Sequence, residues 1–597
     1  MKTLEVLPSW NLNDLYSSIN DSKIHEDLNN ILKEAQDFNQ KYKNSLINLS
    51  PNELNLCIKK YEEINEISLK AVYYAMLLHS ADSSKPEHGA LLSNVEQKHT
   101  EIGDYLTFFS IEWNEINQEI AEKLINSPEL KQYSYFLKSL RKYKSHQLSE
   151  KEEILWQNTN LTGANAWTRF FDEILSKLKF NIKFPDGQEK ELNEEQVLAL
   201  LYHPDRELRK HASEVFTQVL KTQNHSLIYI FNVLLQDHFI EDKFRKYADM
   251  KSSRNLSNDI EDETVNNLIQ SVEAKRNIVE RFYKLKQKLL GVDRLYDYDR
   301  YAPLNLKETK QWTWEESKDF VLKAYADFSQ ESADIARKFF DNYWIDADLR
   351  EGKRGGAFSA GVVPSVHPYI LVNFTGTSRD VSTLAHELGH GIHQYLSRSV
   401  GLLNADTPLT TAETASVFGE MLVFERMLEQ AKDNKEKLAL LVNKIDEIFA
   451  TVFRQICLTR FEEEIHKTRR NKGELTLEEF NSFWTKCNAD LYGDSIELTE
   501  NYSFWWSYIG HFVHSPFYCY AYSFGLLLSI TLYNEYKNTD NKKLFAENYL
   551  KVLSSGGSLN PNDLFKIMNI DLKDPNFWTK GLNLVENLIC KAEELVI

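Results

Sequence analysis

Two histidines four residues apart constrain this chain more than any other feature of its 597 residues. They occur in the pentapeptide His386-Glu387-Leu388-Gly389-His390. Side chains at positions i and i+4 of a helix project from one face, so both imidazoles can bind one metal ion. The carboxylate of Glu387 would lie beside that metal and could take a proton from a bound water. The motif therefore predicts a helix that carries a Zn²⁺ site with hydrolytic chemistry.

The residues around the motif favour a helix that begins near Thr377. Either Thr377 or Ser378 can cap its N-terminus, and Asp380 lies in the first turn, where the helix dipole favours a carboxylate. Apolar residues recur at helical spacing on a stripe that the two histidines do not share. Upstream, the β-branched and aromatic segment 369–374 predicts a strand, to which an extended peptide could add as a further strand. The alternative is an amphipathic helix with two surface histidines.

Two histidines and a water leave one protein ligand to be found. His393 lies about 10.5 Å along the helix from His386, too far to share a metal at bond lengths near 2 Å. A second predicted helix, 410–422, offers Glu413, with Glu420 two turns later on the same face. Glu413 could equally form a capping box with Thr410, so spacing leaves both roles open.

Several motifs resemble the oligoendopeptidase F branch of the thimet oligopeptidase family. They are Gly352-Lys-Arg-Gly-Gly-Ala-Phe358, His367-Pro-Tyr369, Asn373-Phe-Thr-Gly-Thr377 and the segment 384–393, and the segment 10–16 is similar as well. The resemblance covers nearly the whole chain. It implies that Glu413 is the third ligand of one Zn²⁺ per chain. It also implies that Glu420 orients a ligand imidazole.

The resemblance further implies a downstream histidine and tyrosines that polarise the scissile carbonyl. The matching region lies within 501–534, a stretch without any charged residue. Within it, Ser515 followed by proline predicts the start of a helix, with His511 in the loop before it.

On that predicted helix Tyr518 and Tyr522 share one face, whereas Tyr520 points the other way. Spacing therefore favours Tyr518 and Tyr522 as the pair that faces the metal. A small shift in the register of the resemblance would favour Tyr520 instead, and ordinary aromatic core packing is the alternative for all three.

The composition predicts a mainly α fold, because glycine and proline are scarce in the first half and Leu, Ile, Lys and Glu are abundant. The segment 180–192 predicts a hairpin around Pro-Asp-Gly. We expect an N-terminal helical region over 1–120, a middle helical region over 121–200 and a catalytic domain over 201–597. The resemblance implies two helical lobes, a small sheet beside the zinc-binding helix and a deep channel that admits short unfolded peptides.

The net charge and the cysteines indicate which binding partners and which cellular compartment are compatible with this chain. A net charge of −18 argues against a nucleic-acid partner, which would need a basic face. Five cysteines without paired or metal-type spacing indicate a reducing compartment. The segment 1–8 has no apolar core of signal length, and the uncharged stretch 517–533 is better explained as a buried helix than as a membrane span. We therefore expect a cytoplasmic protein without a membrane partner, and the sequence carries no signal of an oligomeric state.

These features predict a zinc-dependent endopeptidase that hydrolyses internal bonds of short oligopeptides. Glu387 would act as the general base, and His511, Tyr518 and Tyr522 are candidates for stabilising the oxyanion. One alternative is a zinc carboxypeptidase of related helical fold, which would trim C-terminal residues. The other is a non-catalytic peptide-binding protein, against which the presence of every expected ligand argues.

Overall fold

Helices dominate the computed structural model, which describes residues 7–304 and 310–596. They make up 72% of the structure, and strands make up 3%. The prediction of a mainly α fold with only small sheets is confirmed. The segment 1–8, for which no signal core is predicted, has its first six residues outside the described residues.

The chain divides into two units, and the first unit comprises the described residues up to Ser145, those from 310 to Glu429 and those of Leu532–Asp571. Its helices are mostly long and amphipathic. They are α1 (Ser22–Tyr42), α2 (Pro51–Ala81), α3 (Pro86–Leu106), α4 (Phe108–Glu115), α5 (Gln118–Ile125), α6 (Ser134–Arg141), α15 (Trp314–Phe328), α16 (Gln330–Asp341), α17 (Ser378–Ser397), α18 (Leu402–Ala405), α19 (Leu409–Ala412), α20 (Thr414–Gln430), α26 (Lys542–Ser554) and α27 (Pro561–Phe565). Its strands are β3 (Ile345–Asp346), β4 (Phe358–Ala360) and β5 (Tyr369–Leu371).

The second unit comprises the described residues from His146 to 304, those of Gln430–Thr531 and those from Leu572 to 596. Its helices are α7 (Glu150–Asn160), α8 (Ala164–Lys177), α9 (Glu194–Ala199), α10 (Arg206–Lys221), α11 (Asn224–Arg245), α12 (Ser252–Ser257), α13 (Asp262–Ala274), α14 (Asn277–Leu290), α21 (Asn434–Thr451), α22 (Phe453–Lys472), α23 (Leu477–Tyr492), α24 (His511–His514), α25 (Cys519–Asn538), which begins in this unit, and α28 (Pro575–Glu594). Its strands are β1 (Phe180–Lys183) and β2 (Glu189–Leu192).

Each of the two units is formed by three stretches that are far apart in the sequence. The predicted regions 1–120, 121–200 and 201–597 are consecutive, so the two divisions follow different boundaries. The three-region scheme stays a prediction.

Local sequence sets many of the helix starts. The Ser50 hydroxyl accepts the backbone N–H of Glu53, and the Glu53 carboxylate accepts the backbone N–H of Ser50 at 2.8 Å. Thr313 and Glu316 form the same reciprocal pair at the start of α15. Each such capping box satisfies backbone donors that the first helical turn leaves free, so the helix begins at a defined residue.

The sheet beside α17 has the strand order β3-β5-β4. β5 is parallel to β3 and antiparallel to β4, with Ile370 opposite Ile345 on one side and opposite Ser359 on the other. The strand predicted over 369–374 is thus present but shorter. The expectation that an extended peptide could add to it is wrong, because both of its edges are already paired.

Two further predictions from the sequence are confirmed. The hairpin over 180–192 is formed by β1 and β2, which pair antiparallel with Phe180 opposite Leu192. Most of the uncharged stretch 517–533 lies in α25, whose apolar side chains are buried. Among the described residues, no helix combines the length and the apolar character that a membrane span requires.

Candidate active site

The helix α17 begins where the sequence predicts. The Thr377 hydroxyl accepts the Asp380 N–H at 3.2 Å, and the Asp380 carboxylate accepts the Thr377 N–H at 3.0 Å. The predicted apolar stripe faces the core, since its members Val381, Leu384, Ala385, Leu388 and Ile392 are all buried. His386 and His390 project from a different stripe and keep part of their surface exposed.

A close approach of two helices brings a second set of side chains to those histidines. A Cβ atom on Gly389 would lie 2.5 Å from the Cα of Ser416, at the start of α20. Such a contact is impossible for any larger residue. Gly389 therefore lets α17 and α20 pack backbone to backbone, which places Glu413 and Glu420 opposite the two imidazoles.

The three predicted ligands come together. The Glu413 Oε2 atom lies 3.4 Å from the Nε2 atoms of both His386 and His390. The two Nε2 atoms are 3.2 Å apart. In a tetrahedral zinc site with bonds of about 2.0–2.1 Å, two ligand atoms lie about 3.3 Å apart. The triangle of one oxygen and two nitrogens therefore has the size that a tetrahedral metal ion needs. His393 does not belong to it and is buried.

Glu413 lies at a break between helices. The prediction of one helix over 410–422 is corrected, because α19 ends at Ala412 and α20 begins at Thr414. Pro408, not Thr410, is the N-cap of α19, so the capping role proposed for Thr410 does not arise. The break turns the Glu413 carboxylate toward the histidines, where it accepts the Ser416 hydroxyl at 2.6 Å.

The Glu420 carboxylate fixes the orientation of His386. The His386 Nδ1–H donates to Glu420 Oε1 at 2.5 Å, so Nε2 is the ring nitrogen that faces the triangle. Burial lowers the pKa of His386, but the hydrogen bond and charge of Glu420 and the charges of Glu413 and Glu387 outweigh it and raise the pKa to about 9. This excess of negative charge around the imidazoles is the environment that a divalent cation would neutralise.

The neighbours of Glu413 stabilise the ionised form of its carboxylate. Burial raises the pKa of this carboxyl, but the hydrogen bond and charge of His390, the charge of His386 and the Ser416 hydroxyl lower it further, to about 2. Glu413 is therefore ionised at neutral pH, as a metal ligand must be.

Glu387 has an unsatisfied oxygen at the site. Its side chain is buried, and its Oε2 atom has no hydrogen-bond partner among the described residues. Burial raises the pKa of this carboxyl, and the charges of His386 and His390 oppose that shift. A buried acceptor without a partner is costly, so the atom is suited to hold a water molecule beside the metal ligands.

The second unit holds the remaining predicted residues in one cluster. The Tyr522 hydroxyl lies 3.1 Å from the Nε2 atom of His511. The Tyr518 ring is 4.8 Å from the Tyr522 ring and 6.0 Å from the His511 ring, centroid to centroid. Tyr520 is elsewhere: its hydroxyl donates to the Asn255 side chain at 2.6 Å in the core. Tyr518 and Tyr522 are therefore together and Tyr520 is apart from them, and which tyrosines face the metal stays a prediction.

Two local predictions for this cluster are wrong. The helix that carries the tyrosines begins at Cys519, not after Ser515, so Tyr518 precedes it. His511 is the first residue of the short helix α24 and does not lie in a loop. The later start of α25 follows from Phe517, whose left-handed backbone with φ of 58° interrupts any helix that would begin after Ser515.

Sequence reasoning missed the arginines around this cluster. The Arg254 guanidinium lies 5.9 Å from the centre of the Tyr518 ring. Arg454 donates to the Tyr301 hydroxyl. Burial, followed by the charge of Arg454, lowers the pKa of His511. No motif in the sequence marks these residues.

Comparison with known proteins identifies the family. The profile of peptidase family M3 matches residues 199–584, and that of Oligopeptidase F matches residues 112–180. The chain belongs to peptidase family M3. The M3 family implies a metal cofactor, and the triangle of His386, His390 and Glu413 is the cluster among the described residues that could hold it.

Relatives and a solved structure agree with membership of the M3 family. Oligopeptidase PepF of Bacillus subtilis is 28% identical, over 99% of this chain and 87% of its own. An oligoendopeptidase F homolog of Borreliella burgdorferi is 28% identical, over 98% of this chain and 97% of its own. The crystal structure of oligoendopeptidase-F from Enterococcus faecium has the same fold, with a TM-score of 0.72 at 22% identity over 96% of this chain and 98% of its own. The predicted resemblance to oligoendopeptidase F and the prediction of a metalloendopeptidase are confirmed.

Proposed function

We propose that this M3 peptidase binds one Zn²⁺ at His386, His390 and Glu413 and hydrolyses internal bonds of short oligopeptides. The observation that carries the proposal is the triangle of ligand atoms with sides of 3.2–3.4 Å. Two imidazoles and a carboxylate are the ligands that catalytic zinc uses, and they leave a fourth position for a water molecule or substrate.

In the proposed mechanism, Glu387 and Glu420 have different roles beside the metal ligands. Zinc, when bound, supplies a Lewis acid that polarises water and the scissile carbonyl. Glu387 accepts the proton of the attacking water on its unpaired Oε2 atom and passes it to the leaving amine. Glu420 keeps His386 in the tautomer whose Nε2 can bind a cation.

His511, Tyr518 and Tyr522 are proposed to donate hydrogen bonds to the oxyanion that forms when water attacks. Their mutual contacts support a common role. We expect Tyr522→Phe to lower kcat by about 10²–10³-fold, the usual cost of one oxyanion donor. Tyr520→Phe is the matched control, because its hydroxyl bonds within the core, and it should keep kcat near that of the wild type. Equal kcat losses in both variants would contradict the proposed role of Tyr522.

The substrate would pair with β4, an outer strand of the sheet. Among the described residues β4 pairs only with β5, so its other edge can receive an extended peptide. Ser359 in β4 exchanges two hydrogen bonds with Gln394 of α17, at 2.7 and 3.2 Å. This pair ties the edge strand to the helix that carries the metal ligands.

The decisive experiment is digestion of peptides that are blocked at both ends and graded in length, read by mass spectrometry. An endopeptidase should cleave short blocked peptides at internal bonds. A chelator should abolish this cleavage, and Zn²⁺ should restore it. Cleavage only of peptides with a free C-terminus would indicate the carboxypeptidase alternative. Binding without cleavage would indicate the non-catalytic one.

We also propose a cytoplasmic location. All five cysteines are free, including the buried Cys57, Cys457 and Cys519, which suits a reducing compartment. Cell fractionation followed by immunodetection tests this directly, and recovery of the protein outside the cytoplasmic fraction would contradict it.

A further inference from the structure

The turn that leads into α25 has an unusual backbone. Phe517, which connects α24 to α25, has φ of 58° although it is a bulky residue. Residues of this kind rarely adopt the left-handed region, because their Cβ atom approaches the carbonyl oxygen. Such a conformation persists only where the surroundings hold it.

Three contacts hold this turn. The Phe517 N–H donates to Glu462 Oε1 of α22 at 2.8 Å in the buried interior. The preceding carbonyl, that of Pro516, accepts the Arg254 Nε–H at 3.1 Å. The Phe517 ring is fully buried and lies 4.7 Å from the His466 ring. The peptide group that precedes Phe517 is therefore held at its carbonyl by Arg254 and at its N–H by Glu462.

The packing of α22 gives no reason for a carboxyl side chain at position 462. It is fully buried on a helix face that also carries Phe461 and Ile465. Its second oxygen, Oε2, has no partner among the described residues, and neither has the Nδ1 atom of His466 one turn later. Both residues line one small cavity with room for about one water molecule.

Burying the Glu462 carboxyl in this interior lowers the free energy of unfolding. Burial raises the pKa of Glu462 to about 8, against the Phe517 N–H and the charge of Arg254, which lower it. A leucine or methionine would fill the position without this cost. The Phe517 N–H needs a hydrogen-bond acceptor, which a carboxyl supplies and an apolar side chain does not.

We propose that Glu462 is a positioning residue, which holds the left-handed turn at Phe517 and thereby sets Tyr518 against His511 and Tyr522. Tyr518 follows the turn directly, so the backbone angles at Phe517 decide where its ring points. The inference rests on the proposed function, in which this cluster acts on the substrate carbonyl.

The test compares Glu462→Met with Glu462→Gln. Glutamine keeps an oxygen that can accept the Phe517 N–H, whereas methionine has a similar shape without an acceptor. Glu464→Met on the same helix is the matched control, because Glu464 has no role in this turn. We expect Glu462→Met to lower kcat by about 10- to 100-fold with KM changed by less than about 3-fold, as misplaced catalytic groups do. Glu462→Gln and Glu464→Met should stay within about 3-fold of the wild-type kcat.

A double-mutant cycle with Tyr518→Phe separates positioning from general destabilisation. If Glu462 acts through Tyr518, Glu462→Met should lower kcat much less in the Tyr518→Phe background than in the wild type. Hydrogen exchange gives a readout besides activity: the peptide that covers 515–522 should exchange faster in Glu462→Met than in Glu462→Gln.

Several results would overturn the proposal. They are wild-type kcat in folded Glu462→Met, equal losses in the Met and Gln variants, and the same fold-loss in both backgrounds of the cycle. Failure of Glu462→Met to fold would also overturn it, since the role of Glu462 would then be stability alone. A wild-type protein that cleaves no peptide would refute the proposed function, and the exchange comparison would still report on the turn.

Discussion

The hydrogen-bond partners of individual atoms distinguish the residues of the candidate metal site. The Nδ1–H of His386 is taken by Glu420, so only Nε2 remains to bind a cation. Glu387 presents an oxygen without a partner among the described residues, whereas the Glu413 carboxylate is ionised and anchored by Ser416. We therefore propose three different roles for the three glutamates around the two histidines, because each has different neighbours.

The first prediction concerns the proposed base. Glu387→Gln should keep bound zinc, because the three ligand atoms are unchanged. It should lose about 10²–10⁴-fold in kcat, the usual contribution of general base catalysis. Metal content by atomic absorption and cleavage of a blocked peptide are the two measurements. Full activity in the zinc-loaded variant would contradict the proposed mechanism.

The second prediction concerns the orientation of His386. Glu420→Gln should weaken zinc affinity by about 10- to 100-fold, because a neutral partner no longer holds the imidazole as strongly. Glu425→Gln serves as the control: it is on the same helix and pairs with Lys537. Competition with a chromophoric chelator measures both affinities. Unchanged zinc affinity in Glu420→Gln would assign Glu420 a different role.

The third prediction concerns Glu462 and pH. Its pKa is about 8 in the folded protein, against an ordinary value of 4.5, through burial and the nearby charge of Glu463 and despite Arg254. Between these values the unfolded chain has released the proton and the folded protein retains it. The free energy of unfolding should therefore fall as pH rises through this window, by up to about 1.4 kcal/mol per pH unit. Glu462→Gln should remove this slope, which urea denaturation at several pH values would show. Parallel pH curves for the variant and the wild type would contradict it.

Helix contacts assemble the site from these residues. α17 and α20 approach so closely that the backbone of one occupies the space of a side chain on the other. The Tyr325 hydroxyl donates to the Ala385 carbonyl of α17 at 2.7 Å and helps to fix this helix. The position of Glu413 relative to the histidines therefore depends on Gly389 in the motif, and Gly419 of α20 permits the same close approach.

The fourth prediction tests this close approach. Gly389→Ala should push α20 away, lower the free energy of unfolding by about 1–3 kcal/mol and weaken zinc binding. Gly103→Ala is the control, because Gly103 lies in α3, where no neighbouring helix among the described residues comes within 4 Å of the position that a Cβ atom would take. That change should raise stability by about 0.5–1 kcal/mol, as alanine does in a helix. Chemical denaturation and zinc titration measure both variants, and wild-type zinc affinity in Gly389→Ala would contradict the argument.

The start of α17 was predictable from the sequence, and the breaks between helices were not. Thr377 and Asp380 mark the start of α17 because a capping box depends on neighbouring residues alone. The break at Glu413 and the left-handed turn at Phe517 have no such local signal. Contacts with distant helices stabilise both, for example the Glu462 carboxyl that accepts the Phe517 N–H.

The predicted site residues belong to two different units of the molecule. All three predicted metal ligands belong to the first unit, and His511, Tyr518 and Tyr522 belong to the second. Each unit is built from segments far apart in sequence, so neither can be recognised from consecutive residues.

The fifth prediction follows from this division. Removal of the metal should increase hydrogen exchange in α17, α19 and α20 of the first unit, because bound metal stabilises the elements that supply its ligands. The helices α22 and α23 of the second unit should keep their exchange rates. Exchange mass spectrometry with and without a chelator makes the comparison. Faster exchange confined to the second unit would place the metal elsewhere.

The sequence by itself determined the metal helix, its cap, its two imidazoles and the family resemblance. These depend on spacing along one helix and on neighbouring residues, which a sequence displays directly. The resemblance implied roles for Glu413 and Glu420, but only the tertiary structure set the distances that bring Glu413 to both imidazoles and Glu420 to Nδ1 of His386. Only the tertiary structure showed that the Glu462 carboxyl accepts the Phe517 N–H just before Tyr518. Those relations join residues from different helices, and their distances are set by packing that no local pattern encodes.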